Sequence, residues 1–91
     1  MSECIFCRIA AGRAAARVVC EDGETLAFHD LNPQAPVHIL VIPRRHLASV
    51  AHAEEGDGYL LGRLFLTAAR AARLAGIAET GYRIVTNCGA A

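Results

Sequence analysis

Residues 37–42 constrain most strongly the fold that this chain can adopt. They read Val-His-Ile-Leu-Val-Ile, and Pro43 follows them. β-branched side chains fit a pleated strand, and proline has no amide hydrogen to donate to a sheet, so we predict a strand that ends at this proline. Even with its flanks the run is far too short to cross a bilayer, so no membrane partner is expected.

Three further segments are predicted to be strands. Residues 17–21 and 25–29 have the character of two short strands, and Asp22-Gly23 between them is a strong tight-turn signal, so they should form a hairpin. Residues 81–87 are expected to form the last strand. The chain is therefore predicted to hold about four strands.

Two segments are predicted to be helical. Residues 4–11 form a short helix with Ser2 or Glu3 near its cap and Gly12 at its end. Residues 58–75 form a long helix that ends before Gly76, and acidic residues precede it. Its predicted apolar stripe comprises Leu60, Leu61, Leu64, Phe65, Ala68, Ala72 and Ala75. This order predicts an α+β fold, an antiparallel meander sheet with the long helix on one face.

Composition indicates one globular domain over residues 1–91. The chain is 54% hydrophobic and 20% charged, and its formal net charge is zero. A neutral balance gives no basic patch, so no nucleic-acid partner is expected. The N-terminus lacks a basic flank followed by an apolar segment, which predicts a cytoplasmic protein without a signal peptide.

The four cysteines are not expected to form a disulfide framework, because nothing indicates secretion. Cys4 and Cys7 have the spacing of a zinc half-site. A redox role is disfavoured because thioredoxin-like pairs follow a strand, and this pair begins the chain. Cys20 and Cys88 are interpreted as structural or incidental.

Three segments resemble the histidine-triad (HIT) family in the same order. They are the opening Cys4-Ile5-Phe6-Cys7-Arg8-Ile9, the central residues 28–46 (FHDLNPQAPVHILVIPRRH), and residues 81–87 (GYRIVTN). The branch that they resemble most hydrolyses phosphoramidates. The resemblance implies a five-stranded HIT-like meander, a homodimer, and a purine nucleotide or nucleoside phosphoramidate as ligand.

The family's catalytic pattern, His-x-His-x-His, follows the position of Asn87, whereas this sequence reads Cys88-Gly89-Ala90-Ala91 there. In the family the middle histidine attacks the α-phosphorus and forms a nucleotidyl-histidine intermediate. None of the four histidines here holds that position, so no catalytic residue is assigned and these 91 residues alone are predicted to be inactive. The domain is interpreted as C-terminally incomplete, either a truncated product or a fragment.

The resemblance assigns Asp30 to the two ribose hydroxyls of a nucleotide. An ionised carboxylate has only acceptors and suits that task. The alternative is an aspartate that caps the turn after its strand.

The resemblance assigns the base pocket to a largely apolar wall. Aromatic and branched side chains give a dry slot for a purine, although ordinary core packing explains them equally well. Ala14 stands where many relatives carry a larger residue, which implies a looser slot. The residues implied are Ile5, Phe6, Ile9 and Phe28 for the wall, His29 and Leu31 beside it, and Asn87 near the phosphate.

His38 interrupts the apolar strand, and the resemblance makes it a hydrogen-bond partner beside the triad, although a lone histidine there is more often a satisfied core residue. The resemblance also implies structural zinc on Cys4, Cys7 and His46. The fourth ligand in the family is the first triad histidine, which is missing here, so water would complete a weakened site.

Three functional hypotheses follow. The chain represents an incomplete HIT enzyme, or a non-enzymatic remnant that binds zinc or nucleotide weakly, or a self-associating structural domain whose open sheet edge pairs with a partner.

Overall fold

The computed structural model describes residues 4–89, so the predicted cap residues Ser2 and Glu3 lie outside the described part. It contains a three-stranded antiparallel sheet, a short helix and a long helix, which confirms the α+β architecture. Two 3-10 turns, Val50–His52 and Glu55–Asp57, precede the long helix. The elements in chain order are α1 (Ile5–Ala10), β1 (Val18–Glu21), β2 (Thr25–His29), β3 (Ile39–Pro43) and α2 (Gly58–Leu74).

β2 is the central strand, with β1 and β3 on either side of it. Thr25 pairs with Pro43 at one end of the β2–β3 ladder, and His29 pairs with Ile39 at the other. The predicted hairpin forms, and the carboxylate of Asp22 accepts the amide hydrogens of Glu24 and Thr25 at 2.8 and 2.7 Å. The turn is therefore held by the aspartate side chain.

The two helices cover opposite faces of this sheet. Beneath α1 lies a buried cluster of Ile9, Leu26, Phe28 and Ile42. A second cluster joins Cys20 and Ala27 of the sheet to Ala71 of α2. Alternate residues of a strand point to opposite faces, so Ala27 and Phe28 serve different clusters. In residues 4–89 no helix has the length and apolar character needed to span a membrane.

α2 follows its predicted span closely. Gly76 adopts a φ of +77°, which favours glycine and ends the helix. Leu60 and Ala72 are buried as predicted, and Thr67 and Ala71 join them. Phe65 is 59% exposed, so its place in the predicted buried stripe was wrong. It lies on the side of the helix that faces away from the sheet.

The predicted fourth strand is not present among the described residues. Residues 81–87 adopt no regular secondary structure, and Tyr82, Ile84 and Val85 are all exposed. A strand exists only when its backbone groups pair with a neighbour, and within residues 4–89 none does so with residues 82–87. The aromatic and β-branched residues of this segment favour a strand, but they carry no information about a partner.

Candidate functional site

Cys4, Cys7 and His46 meet at the start of α1. The Sγ atoms of Cys4 and Cys7 lie 3.4 and 3.2 Å from Nδ1 of His46, and the two sulfur atoms are 3.0 Å apart. Both thiols are half-buried, and the imidazole is exposed. The three residues assigned to metal in the sequence are therefore brought together.

Local structure explains why these three side chains lie close together. Cys4 caps α1, and its Sγ accepts a hydrogen bond from the amide of Cys7 at 3.2 Å. Residues three apart on a helix share a face, so both sulfurs point the same way. His46 follows the end of β3 by three residues, and α1 packs against β3. The imidazole therefore reaches the two cysteines across the end of the sheet.

Hydrogen bonds from Cys7, helped by His46, lower the pKa of the Cys4 thiol to about 7. This shift favours the thiolate, which is the form that binds metal. Two thiolates and an imidazole suit zinc. The two thiolates and the imidazole would hold the ion, and the two sulfurs, 3.0 Å apart here, would move apart to coordinate it. The donor set fits zinc, with one position left for a further ligand.

Arg44, which sequence analysis did not single out, connects this site to the rest of the fold. Its Nε donates to the carbonyl oxygen of Asp22 at 2.7 Å, and its Nη1 donates to that of Ala10 at 3.1 Å. Because Arg44 directly follows β3, these bonds fasten the end of α1 and the hairpin turn to the sheet. Nothing in its local sequence signals this role, since the partners are distant backbone groups.

The four residues predicted as the base-pocket wall divide into two pairs. Ile9 and Phe28 are buried in the core under α1, whereas Ile5 and Phe6 are exposed by 51% and 43%. The rings of Phe6 and Phe28 remain neighbours, with centroids 6.4 Å apart and planes tilted by 46°. Ile9 and Phe28 are therefore core residues, whereas Ile5 and Phe6 form an apolar surface that faces solvent.

Ala14 borders a cavity beside this wall. Ala14 packs against the cluster under α1. A cavity of about 400 Å³ opens next to it, lined in part by Ile9, Ala16 and Leu26.

The remaining predicted pocket residues, His29, Leu31 and Asn87, lie at half-buried or exposed positions. His29 ends β2 and is half-buried, and Leu31 in the following loop is 77% exposed. Asn87 is exposed, and no hydrogen bond joins its side chain to other residues of the described chain. The structure therefore gives Leu31 and Asn87 no packing role.

Asp30 and His38 face each other across the loop between β2 and β3. Oδ2 of Asp30 lies 3.5 Å from Nε2 of His38, and Oδ1 accepts the amide hydrogen of Asn32 at 2.9 Å. Nδ1 of His38 accepts the amide hydrogen of Gln34 at 3.0 Å, so in the neutral imidazole Nε2 carries the proton. The turn-capping interaction considered for Asp30 is present. His38 is therefore hydrogen-bonded, and it directly precedes the outer strand β3.

A second polar cluster was missed by sequence analysis. Asp22 receives an Arg63 hydrogen bond of 2.8 Å on Oδ2, and the Oγ1 of Thr25 donates to Oδ1 at 3.0 Å. The Arg63 bond is the main reason why the pKa of Asp22 lies well below its usual range. Thr25 is fully buried, and its Oγ1 lies 2.5 Å from that of Thr67. This cluster fastens α2 to the hairpin and lies apart from the metal-binding residues.

Comparisons with known proteins agree with this arrangement. A family model described as HIT domain matches residues 11–91. The chain is 43% identical over 89 residues to Protein HitA of Neisseria gonorrhoeae, covering 98% of this chain and 82% of the relative.

Two solved structures share its fold. A HIT family hydrolase from Clostridium thermocellum superposes with a TM-score of 0.93 at 39% identity, covering 98% of this chain and 77% of that one. A histidine triad protein from Clostridium difficile gives a TM-score of 0.91 at 38% identity, with coverages of 99% and 80%. Sequence and fold together show that this chain belongs to the HIT family.

Proposed function

We propose that these residues form the nucleotide-binding portion of a HIT hydrolase, with a purine nucleotide or a nucleoside phosphoramidate as ligand. The observation that carries this proposal is the position of Asp30. Its carboxylate is partly exposed and lies just beyond the end of the central strand β2, two residues after the buried Phe28. A ligand that placed its base against the wall would bring its sugar towards this carboxylate.

The contacts of Asp30 leave room for a sugar. One oxygen accepts from Asn32 and the other faces His38, and an ionised carboxylate offers about four acceptor positions in total. Both hydroxyls of a ribose can therefore donate to it. The exposed face of Phe6 offers a flat apolar surface for a base. His29, Leu31 and Asn87 are retained as further candidate contacts, and His38 as the residue that orients Asp30.

Hydrolysis is assigned to a chain that carries the family's histidine pattern. A nucleotidyl-histidine requires a histidine next to the phosphorus, and the sequence lacks the His-x-His-x-His segment that supplies it in the family. The 91 residues are proposed to bind without cleaving.

Nucleotide titration by calorimetry tests this function. Guanosine monophosphate should bind more tightly than its 2′-deoxy analogue, because the analogue lacks one donor for Asp30. In Asp30→Ala the two ligands should bind equally. His52→Ala is a suitable control, since His52 is exposed and lies after β3, remote in sequence from the pocket. Equal binding of both ligands to the unmodified chain would contradict the ribose role.

A metal-binding function is the second candidate, and the cluster of Cys4, Cys7 and His46 favours it. The proposed occupant is structural zinc, with water in place of the fourth protein ligand. A reducing compartment keeps such thiols available, so the cytoplasm is the proposed location.

Self-association is proposed for the outer face of α2. Phe65 and Leu66 are each exposed by about three-fifths on this helix. Exposed apolar side chains on one element favour burial against a partner, here a second copy of the chain. Sedimentation over a range of concentrations should show a homodimer, and Leu66→Glu should shift it towards monomer.

A further inference from the structure

Cys4 and Cys7 are positioned to form a disulfide bond with each other. Their Sγ atoms lie 3.0 Å apart, and both residues are free thiols in the structure. The sulfur atoms of a disulfide are about 2.05 Å apart, so these two need to approach each other by only roughly 1 Å. Small rotations about the two Cα–Cβ bonds supply a movement of that size.

The backbone at the start of α1 also suits such a bond. Cys4 caps α1, and Cys7 lies three residues later. Ideal helix geometry places Cα atoms three residues apart about 5 Å from each other, within the range of about 4.4–6.8 Å that a disulfide spans. The bond can therefore form without unwinding the helix. It needs only two neighbouring sulfur atoms and an oxidant, unlike a thioredoxin-like site, in which the cysteine pair follows a strand.

A small molecule can reach the two sulfur atoms. Both cysteines are half-buried and line a cavity of about 230 Å³, which Pro43 and His46 also border. Cys20, by contrast, is 6% exposed and packs under α2 on the opposite face of the sheet. An oxidant therefore has access to the pair at α1 and not to the buried thiol of β1.

We propose that Cys4 and Cys7 are a redox modification site, which a low-molecular-weight disulfide such as glutathione disulfide converts into an intramolecular disulfide bond. The bridged form excludes zinc, and this consequence rests on the proposed metal-binding function. In a reducing compartment the bridge is transient, because small thiols reopen it by the reverse exchange.

The exchange proceeds in two balanced steps. The thiolate of one cysteine attacks the small disulfide, so a mixed disulfide forms, the original sulfur–sulfur bond breaks and one small thiol leaves. The second cysteine then attacks the mixed disulfide, which closes the bond within the chain and releases the other small thiol. The two protons of the cysteine thiols end on the two released thiols. The protein pair is oxidised by two electrons, and the small disulfide is reduced by two.

The bridge and zinc compete for the same two sulfur atoms. Zinc binds cysteine as the thiolate, and a disulfide sulfur carries no such charge. In the bridged form His46 is the one donor of the cluster that is left, and a single ligand does not hold structural zinc. Conversely, zinc bound to both thiolates engages the lone pairs that would attack an oxidant. The redox state of the pair therefore decides whether the chain holds metal.

The test uses the full 91-residue chain, free of metal, in buffers with varied ratios of reduced to oxidised glutathione. Mass spectrometry with peptide mapping should locate one disulfide between Cys4 and Cys7, and a reductant should restore all four cysteine thiols of the chain. On elemental analysis after zinc addition, the bridged chain should hold no zinc and the reduced chain one equivalent. Zinc added before the oxidant should slow formation of the bridge.

Cys4→Ser sharpens the test, because serine is itself a preferred helix cap and should preserve α1. Without a second thiol, Cys7 should stop at the mixed disulfide with glutathione. Cys20→Ser is the matched control, since Cys20 lies on the other face of the sheet, and this variant should form the bridge as the unmodified chain does. Cys7→Ser, which should leave a mixed disulfide on Cys4, serves if Cys4→Ser does not fold.

The possible failures are distinguishable. Stable mixed disulfides on Cys4 or Cys7 of the unmodified chain, with no bond between the two residues, would overturn the proposal. A bridged chain that still holds one equivalent of zinc would overturn it as well. A chain that forms the bridge but binds no zinc when reduced would support the redox site and contradict the metal-binding function alone.

Discussion

Oδ2 of Asp22 accepts a hydrogen bond of 2.8 Å from Nη2 of Arg63, although 41 residues separate the two in the sequence. This pair joins the turn between β1 and β2 to α2. The same carboxylate holds the turn through the amides of Glu24 and Thr25. One side chain therefore fixes both the hairpin and the position of the long helix on the sheet.

Stability should depend on pH through Asp22. Its pKa is depressed in the folded chain, chiefly by Arg63, so its contribution is complete above the unfolded value of about 3.9 and is lost as the pH falls towards the folded value. Asp22→Asn should therefore destabilise the chain at pH 7 and progressively less below about pH 4. Urea unfolding at several pH values measures this. An equal cost of the substitution at every pH would contradict the assignment.

The buried threonine pair should contribute measurably to stability. Thr25 donates its hydroxyl hydrogen to Asp22, so the hydrogen between the two threonines comes from Thr67. Thr67→Val keeps the shape and removes that donor, which should cost about 1 kcal/mol of unfolding free energy. Thr80→Val is the matched control, because Thr80 is exposed and its substitution should change stability by less than about 0.5 kcal/mol. Similar costs for the two variants would show that the buried bond contributes nothing.

Zinc should bind with one equivalent per chain at Cys4, Cys7 and His46. Cys4→Ser and His46→Ala should each abolish binding, because two ligands do not hold structural zinc. Cys20→Ser is the matched control: Cys20 is a buried cysteine on β1 within the cluster under α2, and its loss should leave the metal content unchanged. Elemental analysis of untagged protein after stoichiometric addition of zinc measures this. A chain that stays free of zinc would exclude the site.

The parts of the fold that depend on local sequence could be predicted. β2 occupies its predicted residues. α2 ends at Leu74, one residue before its predicted end, and Gly76 follows with the positive φ that ends a helix. Cys4 and Cys7 share a helix face through their spacing alone. Their proximity to His46 required the family resemblance, since no local rule relates residues about 40 apart.

The parts that depend on a distant partner could not be predicted. Residues 81–87 have the pattern of a strand, but pairing also requires a neighbour that no local pattern supplies. The contact of Asp22 with Arg63 joins a turn to a helix whose relative placement the sequence does not encode locally. Likewise, Phe65 fits an apolar stripe by spacing but faces away from the sheet. Each failure concerns tertiary placement, which overrides local propensity.

Catalysis should be absent from the 91-residue chain and should return when a family-type ending is added. The sequence holds no histidine at the nucleophile's position, and loss of a nucleophile costs several powers of ten in rate, on the order of a million-fold in one well-studied protease. Adding Gly-Gln-Ser followed by His-x-His-x-His should restore hydrolysis of a nucleoside phosphoramidate. A fluorogenic substrate with an amine leaving group measures the rate.

Asp30 should then affect this restored activity through binding. Asp30→Ala in the extended chain should weaken nucleotide binding by about 1.5–3 kcal/mol, the contribution of a hydrogen bond to a charged group. The effect should be smaller for a 2′-deoxy analogue, because that ligand already lacks one of the two hydroxyl donors. Hydrolysis by the rigorously purified 91-residue chain would require a nucleophile other than the triad. An extended chain that folds but stays inactive would argue against the pocket formed by Phe6, Phe28 and Asp30.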